Sequence, residues 1–146
     1  MTAGYSGTPL DKKLGIKAGF RVAFPGAPEG FLETLGALPE DVEVVSAPGG
    51  SNVLPLDLIV LFTLEKSRLL ETFPQLARKL TPSGMLWVSW PKKASGVATD
   101  LNENIIRDYG LSVGLVDTKV CAIDATWSGL KFVIRVKDRP VGKVKG

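Results

Sequence analysis

The stretch LDLIVLF, residues 56–62, limits the fold of this 146-residue chain more than any other segment. Apart from Asp57 it is apolar throughout. A strand with one wet face alternates apolar and polar residues. A strand apolar on both sides must be covered on both sides, as in a parallel sheet with helices above and below. The longer apolar run over 53–62 is interrupted by Pro55 and Asp57 and is too short to span a bilayer.

Other elements can be placed around this strand. Thr8 and Pro9 read as a helix start, with the short helix stopping near Gly15. FRVAF (20–24) is a buried-strand pattern that runs into the turn residues Pro25-Gly26-Ala27-Pro28. Residues 29–35 read as a helix closed by Gly36, and residues 42–45 as a second strand. Leu69, Phe73, Leu76 and Leu80 recur at helical spacing, and Pro74 within that run predicts a break or kink. TPSG (81–84) reads as a turn and MLWVSW (85–90) as a strand. Strand alternation puts Trp87 and Trp90 on opposite faces. Asp100 and Glu103 have the spacing of a capping box ahead of a helix that Gly110 ends. Residues 115–123 and 130–136 read as strands, and the short link between them requires an antiparallel hairpin. The expected fold is α/β: a mostly parallel, Rossmann-like sheet of about six strands, with helices on both faces and a C-terminal antiparallel hairpin. Residues 1–138 are expected to form one domain, and residues 139–146 a flexible basic tail.

The counts narrow the chemistry. The chain has no histidine, which removes Ser-His-Asp triads, Cys-His pairs and the usual zinc and iron sites. Acid–base work would fall to Asp, Glu, Lys, Tyr or a bound water. The single cysteine, Cys121, excludes an internal disulfide and reads as a buried structural thiol. With no apolar signal region in MTAGYSGTPLDKK, a cytoplasmic protein is expected. Residues 131–146 carry six basic side chains and one acid, but no aromatic residue follows Phe132 to serve as a stacking platform. Nucleic acid is therefore not the expected partner, and no membrane partner is expected.

The order of elements resembles a class I S-adenosylmethionine-dependent methyltransferase domain. KKLGIKAGFRVAF resembles that family's lead-in helix and first strand, LDLIVLF its fourth strand, and LARKLTPSGMLWVSW its next helix, turn and fifth strand. The closing hairpin resembles its last two strands. More closely, GYSGTPLDKKLGIK, WVSWPKKASG and VCAIDATWSGLK resemble a family of small bacterial proteins of unknown function. The methyl-donor signature departs from the broader family. Phe24 stands where that family has an acid, and Pro28 replaces the middle glycine of its G-x-G-x-G turn. Ser46 stands where an acid would hold the ribose, and the third strand with its helix has no counterpart. Ordinary S-adenosylmethionine binding is therefore not expected, and no other cofactor is indicated.

Ligands of open parallel sheets sit beyond the carboxyl ends of the strands. That edge is expected to gather Pro25 to Glu29, Ser46 to Gly50, Thr63 and Glu65, the WPKKASG segment and the hairpin turn. Lys92 and Lys93 leave one strand end together and suit a carboxylate or phosphate. Ser95 adds a donor, Trp127 or Trp90 a flat apolar wall, and Asp124 and Thr126 lie on the same edge. Tyr5 lies in an N-terminal arm that could fold over that edge as a lid. The expected ligand-binding set is Lys92, Lys93, Ser95, Asp124, Thr126 and Trp127, for a small anionic molecule. A non-catalytic module that contacts a protein through Trp127 or the basic tail is the alternative.

Overall fold

A computed structural model describes residues 8–46, 48 and 54–139. Tyr5 and the tail beyond Arg139 lie outside the described residues. Six strands form one sheet: β1 (Arg21–Ala23), β2 (Glu43–Val44), β3 (Leu56–Phe62), β4 (Leu80–Pro91), β5 (Leu115–Ala122) and β6 (Trp127–Ile134). Their spatial order is β2-β1-β3-β4-β6-β5. β1 to β4 are mutually parallel, and β6 runs antiparallel to both β4 and β5. This is the Rossmann-like layout with a terminal hairpin that the sequence pattern implies.

The helices divide between the two faces. α1 (Leu10–Leu14) and α2 (Phe31–Leu35) cover one, while α3 (Lys66–Ala77) and α4 (Glu103–Val113) cover the other. β3 shows why LDLIVLF had to be apolar. Leu58, Val60 and Phe62 pack with Leu14 and Phe31, whereas Ile59 and Leu61 pack with Leu69 and Phe73. Trp87 and Trp90 also fall on opposite faces, and both are buried. The Trp87 indole N–H donates to Leu14 O at 2.9 Å, satisfying the one polar atom of the ring.

Four local expectations are corrected. α3 does not break at Pro74, which lies inside the continuous helix. Proline has no N–H for the carbonyl four residues back, Leu70. Tyr109 of α4 fills that role, its hydroxyl donating to Leu70 O at 3.0 Å. Residues 81–84 are not a turn; they belong to β4. Two steps along β3, Leu56 to Leu58, face five along β4, Leu80 to Met85, so the extra residues bulge out of the ladder.

The cap of α4 is Asn102 rather than Asp100, with Asn102 Oδ1 accepting from Ile105 N at 2.8 Å. Asp100 caps α3 instead, its carboxylate accepting from Lys66 N at 2.7 Å. Gly110 does not end α4, which continues to Val113 and closes on Gly114 at φ 111°. Gly110 is a packing residue: a Cβ there would lie 2.1 Å from the Phe132 ring.

Candidate functional site

β1 connects through α2 to β2 on one side, and β3 through α3 to β4 on the other. The connections therefore diverge between β1 and β3, and a crevice opens at their carboxyl ends. A cleft of about 410 Å³ lies there. Phe62 and Trp127 form its apolar wall, with Leu64 and Val97 beside them, and Gly26 lies at the end of β1. Thr63, Glu65 and Arg68 are its polar groups.

Each wall is held by identifiable bonds. The chain leaving β1 stays against β3, because Phe62 N donates to Pro25 O at 2.9 Å. Gly26 has φ 76°, and a Cβ there would meet Phe62 O at 2.4 Å, so a side chain is excluded on two grounds. Thr63 N donates to Ser89 O at 3.1 Å, and the Thr63 hydroxyl accepts from Glu65 N at 3.2 Å, fixing the exit from β3 into α3. The segment after β4 is tied to the same exit by Thr99 Oγ1, which donates to Leu64 O at 2.6 Å. That contact positions Val97 over the cleft. Arg68, in the first turn of α3, is exposed and makes no ion pair among the described residues.

Four aromatic rings run along the edge in a chain of edge-to-face contacts. Phe24 meets Phe31 at 5.2 Å, Phe31 meets Phe62 at 4.8 Å, and Phe62 meets Trp127 at 5.1 Å. Ser89 lies between the strands of the last two, paired in register with Phe62 on β3 and Gly129 on β6. It is fully buried, and its hydroxyl has no hydrogen-bond partner among the described residues.

The topology brings Lys92, Thr126 and Trp127 together. Lys92 N donates to Thr126 O at 2.7 Å, and Pro91 pairs in register with Trp127. Asp124 lies in the same hairpin turn, but its Oδ1 accepts from Thr126 N and Trp127 N, both at 2.8 Å. One of its oxygens is thus engaged in shaping the turn. Ser95 closes a short 3₁₀ turn over 93–95, its hydroxyl donating to Lys92 O at 2.7 Å and accepting from Val97 N at 3.2 Å. Lys93 is exposed in that turn. Of the six residues expected to bind ligand, Trp127 lines the cleft. Trp90, the other ring considered for the wall, is in the core under α3 and α4.

Sequence reasoning placed Gly26, Thr63 and Glu65 on this edge but missed Phe62, Arg68 and Val97 as cleft residues. Phe62 reads as core, and it is buried in the core while also lining the cleft. Arg68 carried a usable signal: three residues past Glu65 on a helix, it returns to the edge that Glu65 leaves. Val97 carried none of its own, because the Ser95 and Thr99 contacts bring it there. Among the described residues no group of three or more His, Cys, Asp or Glu could hold a metal ion.

Solved structures with this arrangement include methyltransferases. A ribosomal protein L11 methylase from Lactobacillus delbrueckii subsp. bulgaricus superposes with a TM-score of 0.57 at 17% identity, over 86% of this chain and 74% of that one. A precorrin-6y C5,15-methyltransferase from Geobacter metallireducens gives 0.60 at 11% identity, over 86% and 85%. A magnesium protoporphyrin IX methyltransferase from Synechocystis, solved with bound S-adenosylhomocysteine, gives 0.56 at 11% identity, over 86% and 78%. The fold is thus that of the class I S-adenosylmethionine-dependent methyltransferases, and identities this low carry the likeness no further than fold. No family model matches the chain, and no curated protein matches it in sequence.

Proposed function

We propose that the protein binds a small anionic molecule with a flat apolar part in the cleft at the carboxyl edge, on a methyltransferase-type scaffold. The observation that carries this reading is the cleft itself. It lies where the strand connections diverge, has an indole and a phenyl ring as one wall, and has on its rim a guanidinium with no ion pair among the described residues. A ring stacked against Trp127 and an acidic group on Arg68 would use both features. Lys92 and Lys93, leaving the neighbouring strand end, add positive potential to the same edge. Glu65 opposes an anion near α3 and favours a ligand that also carries a hydroxyl or amine donor.

Three observations support leaving S-adenosylmethionine out of this reading. Phe24 is uncharged, and its ring packs on Phe31 at the end of β1. The turn that follows contains Pro28, which offers no N–H donor, and its Gly26 already rests against Phe62 O. Ser46, exposed at the end of β2, carries no charge for a ribose diol.

Intrinsic fluorescence and thermal shift, with nucleotides, aromatic carboxylates and S-adenosylmethionine as probes, test this. Trp127 is the half-buried tryptophan, so a ligand at the cleft should change emission. Arg68→Ala and Trp127→Ala should each weaken binding by about tenfold, or about 1.4 kcal/mol. Hits indifferent to both substitutions, or no hit at all, would remove the proposal. S-adenosylmethionine binding that Trp127→Ala abolishes would restore the methyl donor.

A further inference from the structure

α1, the Trp87 position of β4 and the β5–β6 hairpin meet at a second place, on the α1 face of the sheet. The Trp87 indole N–H donates to Leu14 O, and Lys13 Nζ donates to Ala122 O, both at 2.9 Å. Lys131 Nζ lies 5.9 Å from the centre of the Trp87 ring. Lys119 is the direct cross-strand partner of Lys131. That pairing is made by an irregularity: between Asp117 and Lys119 the ladder with β6 gains one residue, and the gain moves Lys119 opposite Lys131. Bulges re-aim side chains in this way beside functional sites.

Like charges opposed across two strands repel. No ion pair among the described residues offsets them. The ion pairs among the described residues are Arg21–Glu43, Arg107–Glu103 and Arg107–Asp117, and none involves Lys13, Lys119 or Lys131. The segments outside the described residues contain no Asp or Glu. We propose that Lys13, Lys119 and Lys131 form a phosphoryl-binding site on the α1 face of the hairpin, distinct from the cleft. Lysines from a helix and two strands, grouped around Cys121, would offer multiple donors to one tetrahedral anion, and an anion there would relieve the repulsion between Lys119 and Lys131. Neighbouring groups register the crowding. Burial, then Lys119, lowers the Lys131 pKa from its ordinary value. Burial raises the Cys121 thiol, while Lys13, Lys119 and Lys131 pull it the other way.

The phosphoryl group could belong to a small metabolite or to a nucleic-acid backbone. The test titrates the full chain at low salt with pyrophosphate, and in parallel with a single-stranded RNA. Pyrophosphate should raise Tm, and Lys119→Gln should weaken its binding by about tenfold. Lys119 is exposed, and the unliganded variant should be at least as stable as the parent because repulsion is relieved. Lys131→Gln is the second variant, and Arg78→Ala, at an exposed cation capping α3 on the other face, is the control that should bind normally. Pyrophosphate binding without RNA binding supports a small ligand. RNA binding whose log–log salt slope approaches about −2, from three phosphates at roughly −0.7 each, supports a backbone phosphate. No binding of either probe, unchanged binding in both Gln variants, or equal loss in Arg78→Ala would overturn the site.

Discussion

The two faces of the sheet are built differently. The α3/α4 face carries helices of 12 and 11 residues over a closed apolar core. Its polar groups are matched: Arg107 bonds both Glu103 and Asp117, and the Tyr109 hydroxyl takes the carbonyl that Pro74 leaves free. The α1/α2 face has two helices of five residues each, and they leave the Ser89 hydroxyl without a partner among the described residues. On that face are the Ser89 hydroxyl, the crowded lysines and the half-buried Cys121, and beside it at the edge is the cleft. The contrast teaches that one face supplies stability and the other is where chemistry has room.

The largest test of that division is Phe132→Ala. Phe132 is fully buried, meets Phe73 at 5.3 Å, and fills the space above Gly110. Its truncation should cost about 3–5 kcal/mol in chemical denaturation. A loss below about 1 kcal/mol would mean that this face is not the close-packed one.

Glycine-to-alanine changes on the two faces sharpen the comparison. At Gly110 the new methyl would sit 2.1 Å from an aromatic carbon, while at Gly129 the nearest atom, on Trp87, is 3.0 Å away. Alanine gains about 1 kcal/mol over glycine in a helix interior, but overpacking of this severity costs about 3 kcal/mol. Gly110→Ala should therefore be a net loss of about 2 kcal/mol. Gly129→Ala should cost less; the reverse order would break the comparison.

The smallest effects come from removing one hydroxyl on each face. Tyr109→Phe should lose about 1 kcal/mol, because Leu70 O then has no donor. Ser89→Ala removes a hydroxyl that has no protein partner, so stability should hold or rise slightly. Equal losses in the pair would show that Ser89 is as well satisfied as Tyr109.

How much of this was legible in the sequence depended on how local each signal is. LDLIVLF announced a doubly covered strand, and the helical spacing of Leu69, Phe73 and Leu76 marked the buried side of α3. The errors arose where a residue's ordinary local meaning was overridden from a distance. Pro74 is a helix breaker by propensity, yet a tyrosine 35 positions later completes the helix around it. Gly110 resembles a stop signal, but its role is set by a ring on β6. Asp100 has capping spacing for α4 and caps α3 instead. In the cleft, Trp127 was visible as a ring in the hairpin turn and Arg68 by its spacing from Glu65, whereas Val97 enters through contacts between separate segments.

By itself the sequence determined the element types, the two-sided burial of the central strand and the hairpin at the end, because periodicity and turn chemistry act over a few residues. Only the tertiary structure decided which polar groups are satisfied, which ring walls the cleft, and that Lys119 stands opposite Lys131. Those outcomes depend on register and on helix docking. A single added residue in β5 or one distant hydrogen bond changes them without altering any local pattern.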